Sequence, residues 1–470
     1  MSKITFKILI ILFLLLAKQV YTQNTFDEYL SKDSIYRFTS SLKVLDSLLL
    51  LQKKDFDIDT SFYNTFANAE SINLNQLLFF TISNNPDLKS FETRVEAFKY
   101  QAEEKSYLPD PMFEFELDDI MSDFKRVGMI NFFVSQMFPF PGKLALEKQS
   151  VLNNMSMLES EILVMSIEKI NMIKMSYYDL YLINKKIQIN QDNQLLVKTF
   201  SAATEIQYSV GKGMQQEIFK SQIEMSKLKN EEFLLKQQRK NIFSQLTALT
   251  KIIIDENTRI DFSDINFDYL LNKNSFNITE RDQVELIDFA FEHRPDLKIL
   301  ENKIFMNKTE LEIAKLNRYP DFNIKLGYKL LPSEEKNAFA FMIGINIPFA
   351  PWSSGKYSNS VSKNEIIIKS TSDEFIAKKN DIRAEIVNII NNIRSSKETM
   401  NYYYAILLPQ TENTLKSTQY SYENNETDFL DLLDSYKMYQ EARIMYYESV
   451  NMYLKMIAEL EKATAINLKN

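Results

Sequence analysis

Residues 321–356 read DFNIKLGYKLLPSEEKNAFAFMIGINIPFAPWSSGK, and within this stretch the hydrophobic period changes twice. Phe322, Ile324, Leu326 and Tyr328 alternate with Asn323, Lys325, Gly327 and Lys329, the pattern of a strand with one apolar and one wet face. Leu331 to Asn337 is polar and contains Pro332. Alternation then resumes, with Phe339, Phe341, Ile343, Ile345 and Ile347 set against Ala340, Met342, Gly344 and Asn346. The segment reads as a hairpin over 321–347, of two strands of roughly ten residues each. A tilted strand needs about 9 to 11 residues to cross a bilayer. After Pro348, Pro351, Gly355 and Lys356 the period becomes helical.

The same order occurs once before. Pro86 matches Pro295, Pro109-Asp110 matches Pro320-Asp321, Gly142-Lys143 matches Gly355-Lys356, and Tyr208 matches Tyr420, at offsets of 209, 211, 213 and 212 residues. Four landmarks in one order at nearly one spacing define an internal repeat, which sets the domain plan before any motif is read. The first repeat covers 71–250: helices, a less regular strand hairpin over 112–138 carrying Phe113, Phe115 and Leu117, and a helical hairpin over 143–250. A linker, 251–282, leads to the second repeat, 283–465, with its strand hairpin over 321–347 and a helical hairpin over 356–465. The helix after Lys143 continues to about Phe200; some sixty residues at 1.5 Å each give roughly 90 Å. Ordinary globular helices average about 11 residues, so this one does not lie inside a compact domain. Its partner in the second repeat carries Ile382, Ile386, Ile389 and Ile393 on one face and is expected to bend at Pro409. The last helix spaces Phe429, Leu432, Tyr436, Tyr439, Ala442, Tyr446, Val450, Tyr453, Met456 and Leu460 by threes and fours, as a coiled coil does.

Composition narrows the class. Among 470 residues, 45% are apolar and 25% charged, which is ordinary for folded protein, and only 7 are glycine, which leaves room for long uninterrupted helices. Lys3 and Lys7 precede an apolar run from Ile8 to Ala17, so 1–22 reads as a secretory signal peptide with cleavage near Thr22 and Gln23. Removing its three lysines takes the formal charge from −8 to −11, which argues against nucleic acid as a partner. The absence of cysteine excludes both a disulfide framework and a lipid-bearing N-terminal cysteine. No later run reaches the ~18 apolar residues of a spanning helix. The acidic segment 23–70 carries no assignable pattern.

Two hairpins give one chain four strands. Four cannot close, and an open edge in lipid leaves unpaired amides costing several kcal/mol each, so a barrel would be shared between chains. Two chains would give eight strands and a filled interior; three would give twelve and a lumen. With the apolar faces outward, Lys325, Lys329, Gly327 and Asn346 line that lumen.

On these residues the chain resembles the TolC-type outer-membrane efflux proteins. The resemblance covers Ser71 to Ala465 and rests on Tyr-Pro-Asp-Phe (319–322), Phe-Pro-Phe-Pro-Gly-Lys (138–143), Ile-Pro-Phe (347–349), Leu-Pro-Gln (408–410) and the acidic segment 420–434. It implies a mainly α protein with a membrane β-barrel: a homotrimer with a twelve-stranded barrel in outer-membrane lipid and a twelve-helix periplasmic tunnel. Such a tunnel docks on a periplasmic adaptor protein and an inner-membrane pump. The Phe-Pro-Gly-Lys and Leu-Pro-Gln forms look most like the branch that serves heavy-metal pumps of the resistance-nodulation-division type. The resemblance also implies that Asp431 and Asp434 line the closed periplasmic end, with Glu217 as their first-repeat match and Tyr422 as a tether. Asn425 stands where the family usually has glycine, and Thr427 where some members have arginine.

Other readings compete. Asp428 and Asp431 also suit a solvated helix start, favoured by the helix dipole. His293 reads as a helix-start residue, since one histidine without cysteine makes no metal site. The 19 methionines fall mostly at core spacing. Trp352 reads as a membrane-interface or loop anchor. No phosphate loop, nucleophile–base pair or cofactor motif is present in the sequence, and no enzyme is expected. A duct for protein secretion, and an exported coiled-coil structural or adhesin protein, remain open alternatives.

Overall fold

The computed structural model describes residues 71–120, 127–211, 213–263, 265, 278–331, 336–424 and 426–466. The signal-peptide reading, the segment 23–70, both strand-hairpin tips, residues 264 and 266–277 of the linker and Asn425 lie outside the described residues. Contacts divide the chain between Phe62 and Tyr63, and everything described belongs to the second unit.

The elements run in chain order. They are α1 (Leu74–Asn84), α2 (Pro86–Glu104), β1 (Met112–Ile120), β2 (Val127–Phe138), α3 (Lys143–Ser209) and α4 (Gln215–Thr250) in the first repeat. The second repeat has α5 (Glu280–His293), α6 (Pro295–Leu316), β3 (Phe322–Leu331), β4 (Lys336–Ile345), α7 (Ser354–Tyr402), a π segment (Tyr403–Leu407), α8 (Leu408–Glu423) and α9 (Phe429–Thr464). Local chemistry explains the boundaries. Asn73 and Gln76 form a reciprocal capping box that starts α1, and Thr279 and Asp282 do the same for α5, which begins inside the span read as linker. Gly142 starts α3 at φ 94°, in the left-handed region that favours glycine.

α3 is longer than its pattern suggested, at 67 residues or about 100 Å. At Pro409 the structure widens the helix. The five-residue π segment stands immediately before α8, and the Leu408 N–H bonds to the Tyr403 carbonyl five residues back. This wider turn absorbs the missing N–H and the bulk of the proline ring within a continuous helix. His293 ends α5 rather than starting a helix: extended Arg294 is at once the C-cap of α5 and the N-cap of α6, the conformation a residue before proline prefers. The His293 ring stacks on Phe289, with centroids 3.8 Å apart.

The repeat is three-dimensional. The return helices α4 and α9 each have 36 residues and end on a left-handed residue, Lys251 (φ 59°) and Ala465 (φ 56°). Asn85 donates to the Leu249 carbonyl (3.2 Å) at the end of α4, and Arg294 donates to that of Ala463 (2.9 Å) at the end of α9. Asp87 pairs with Lys169 (2.8 Å), and Asp296 with Lys378 (3.2 Å), each partner displaced by 209 residues. Burial opposes ionisation of Asp296, but Arg294 and Lys378 outweigh it and hold the carboxyl below its ordinary value.

α3 is the axis of the helical part and packs against α4, α9, α6 and α2. The main core joins Ile173, Tyr177, Leu180 and Ile183 of α3 to Ile382, Ile386, Ile389 and Ile393 of α7 and to Val450, Tyr453 and Leu460 of α9. A second cluster, around Phe200, Tyr422, Phe429, Leu432 and Tyr436, closes the end where the helical hairpins turn. Among the described residues no helix is long and apolar enough to cross a membrane.

Candidate functional site: the sheet wall and the helical tip

The strands form one antiparallel sheet in the order β1-β2-β3-β4, so the hairpins of the two repeats are joined through β2 and β3. Alternation assigns every side chain to a face. One face carries Phe113, Phe115 and Leu117 of β1, Val134 of β2, and Phe339, Phe341, Ile343 and Ile345 of β4, all exposed. The opposite face carries Glu114, Glu116 and Asp118 of β1 and Lys325 and Lys329 of β3. Lys325 forms an ion pair with Glu114 across β2, and Asn131 donates to Glu116 (3.3 Å). Phe133, the aromatic on this face, is only 4% exposed. Its ring lies flat over Gly327, where a Cβ would come within 2.4 Å of it, and the Lys325 ammonium sits 4.3 Å from the ring centroid.

Asn346 lies just beyond β4, at the foot of the hairpin. It accepts from the Asp321 N–H and donates to the Asp321 carboxylate (3.3 Å). Asp321 is the joint that the sequence landmarks did not explain. Its carboxylate receives the Phe140 N–H (2.7 Å) and the buried Lys143 ammonium (2.7 Å), tying the start of β3 to the start of α3. Phe140 stacks on Tyr319 beside it, at 4.6 Å. Pro320-Asp321 and Gly142-Lys143 recurred in the sequence as separate landmarks; that they meet follows only from the β2–β3 pairing.

At the helical tip, Asp428 is the residue that caps α9, accepting the Asp431 N–H (3.0 Å). Asp431 and Asp434 are exposed on the side of α9 away from Phe429, Leu432 and Tyr436, and neither carboxylate has a partner among the described residues. Glu217 caps α4 through the Met214 N–H (3.3 Å). Tyr422 is buried, its hydroxyl donates to Gln207 of α3 (3.3 Å), and its ring meets Phe429 edge-on. Burial first, and the Glu217 charge second, raise its pKa. Through Tyr422 and Gln207 the second-repeat turn is fastened to the first-repeat helix. Sequence reading missed Glu224, which is buried between Lys437 (3.3 Å) and Lys227 (3.8 Å) and links α4 to α9. The available signal was a carboxylate in the seam Ser221, Glu224, Leu228.

No family profile matches the chain. Solved structures do. The outer-membrane channel OprN superposes with a TM-score of 0.69 at 13% identity, covering 84% of this chain and 90% of that one. CusC, described with its transmembrane channel formation, gives 0.69 at 14% identity over 84% and 92%. The open-state MtrE outer-membrane channel of Neisseria gonorrhoeae gives 0.67 at 13% over 84% and 89%. The fold is that of the TolC-type outer-membrane channels. By sequence, the chain is 19% identical over 169 residues to the cobalt-zinc-cadmium resistance protein CzcC of Cupriavidus metallidurans, a match spanning 36% of this chain and 40% of that protein.

Proposed function

We propose that three copies of this chain form an exit duct through the outer membrane, fed by a periplasmic adaptor and an inner-membrane pump. The observation that carries the reading is a membrane-length sheet with an exposed aromatic face, an ion-paired opposite face and two open edges. Such a sheet is stable in lipid only when its edges are closed by further copies, and twelve strands leave room for solvent. Lys325, Lys329, Glu114, Glu116 and Asp118 then face the water column. The duct performs no chemistry of its own: cargo is selected by the pump, and the likeness to CzcC favours metal cations as the class delivered. In cell fractions the mature protein is expected in the outer membrane as a detergent-resistant trimer. Recovery as a soluble monomer would overturn the duct.

The gate reading assigns Asp431 and Asp434 to a ring of six carboxylates around the tunnel axis. Their exposure and lack of partners support it, as does the assignment of the capping role to Asp428. The Asp431→Asn, Asp434→Asn double variant is expected to assemble normally, with planar-bilayer currents that are less cation-selective and less sensitive to multivalent cations. Identical selectivity and cation block in variant and parent would remove the ring and leave the duct standing.

A further inference from the structure

Two groups of methionines stand outside the core, each on a face already described. Met400 is fully buried and fills the core, as methionine commonly does. Met438, Met445 and Met452 of α9 also recur at core spacing, seven residues apart, yet each is 41% exposed or more. Beyond Asp431 and Asp434, the exposed positions of α9 are Met438, Glu441, Met445, Glu448 and Met452, spaced by threes and fours. The thioethers therefore continue the stripe that begins with the acidic pair. A seven-residue repeat keeps to one side of a helix that winds as a coiled coil does, and at 1.5 Å per residue its levels follow one another about 10 Å apart. Glu441 lies one turn from both Met438 and Met445, whereas Glu448 is held by Lys186 of α3 (2.6 Å).

The sheet makes the same choice. Met112, Met129, Met137 and Met342 are the methionines of the described strand residues, and all stand on the polar face. Met112 is level with Ser135, Met129 with Asp118, Met137 with Asn323 and Met342 with Lys325. Met112, Met137 and Met342 are exposed there. A methionine present only for its apolar bulk would sit at least cost on the opposite face, which holds none among the described residues. In helix and sheet alike, sulfur is placed on the wet side.

Resting on the duct reading above, we propose that these thioethers are successive weak sites for soft monovalent cations, of the copper(I) or silver(I) class, along the wall beyond Asp431 and Asp434. A thioether is an uncharged, soft donor that suits such an ion, where carboxylate and water suit hard divalent ones. Each level of α9 offers one sulfur per copy, with a carboxylate one turn away at Met438 and Met445. So few donors leave the ion partly hydrated and quick to exchange. Conduction needs sites of this kind, favourable enough to enter and weak and numerous enough to leave.

The test uses purified parent trimers in chloride-free nitrate buffer, with silver nitrate as the probe and zinc nitrate as the comparison. Oxidation of a methionine by tert-butyl hydroperoxide uses the sulfur lone pair that a bound ion occupies, and peptide mass spectrometry reads the sulfoxide residue by residue. Silver is expected to slow oxidation of Met438, Met445, Met452, Met112, Met137 and Met342 severalfold, and zinc to leave it unchanged. No protection by silver, or equal protection by zinc, would overturn the proposal. Oxidation that is already slow without metal would overturn it too, by showing that a neighbouring copy or partner covers the stripe. A second measurement separates sulfur from apolar bulk. In planar bilayers, micromolar silver is expected to lower the parent's single-channel current, and the Met438→Leu, Met445→Leu, Met452→Leu variant to lose most of that response. An equal response in the variant would remove the α9 sites. Parent channels that conduct without silver protection would remove the thioether path and spare the duct; a parent that forms no channel would remove both.

Discussion

Phe341→Asp is expected to abolish the assembled form, while Met342→Asp, one residue along, leaves it largely intact. Phe341 is 63% exposed on the face shared with Phe339, Ile343 and Ile345, and each of three copies would carry its carboxylate into the lipid band. A charge there costs up to a few kcal/mol near the bilayer midplane, somewhat less for Asp than for Lys or Arg, and three in one barrel act together. Met342 belongs to the opposite face, directly across from Lys325. A carboxylate at that position meets water and a cross-strand lysine, a pairing worth roughly 0.2–1 kcal/mol in favour. The measurement is the amount of heat-resistant trimer in outer-membrane fractions of the two variants and the parent. Equal loss in both would show that the two faces do not meet different solvents.

The parts legible in the sequence are those in which one residue type repeats at one period. Alternation placed Phe341 and Lys325 on opposite faces, and steps of three and four identified Phe429, Leu432, Tyr436, Val450, Tyr453 and Leu460, all buried. Proline and glycine marked where β hands over to α, because their backbone limits act locally. What the sequence could not give were contacts between residues far apart in the chain. Asp321 meets Lys143 across 178 positions, Tyr422 meets Gln207 across 215, and Lys174 meets Glu461 across 287. None leaves a periodic trace. Pro409 was visible, but the π turn that stands immediately before it, where Tyr404 packs on Tyr446 of α9, was not. The acidic pair at the tip was visible through resemblance alone; the structure adds that Asp428 already caps the helix, so Asp431 and Asp434 are not needed for that purpose.

Lys174→Met is expected to cost more stability than any other removal of an ion pair in this chain. Lys174 of α3 and Glu461 of α9 pair directly, each side chain 7% exposed, where the first and second repeats pack together. Removing the ammonium takes the Lys174 counter-charge from a buried carboxylate, a loss of about 3–5 kcal/mol. Lys186–Glu448 and Arg443–Asp192 bridge the same two helices, but in both pairs the acid is about half exposed, so loss of either should fall within ~1 kcal/mol. The Lys174→Met, Glu461→Leu double variant separates the two possible causes of damage. If the single variant fails because a charge is stranded, replacing both partners with apolar side chains restores most of the stability, since an apolar pair of similar volume is often no worse than a buried ion pair. If it fails because the lysine stem packs the seam between α3 and α9, the double variant is no better than the single one. Apparent melting temperatures of detergent-solubilised trimers, taken at one scan rate because such unfolding is read as a rate, distinguish the two. A Lys174→Met protein that melts with the Lys186→Met variant would show that this pair is not what holds the two repeats together.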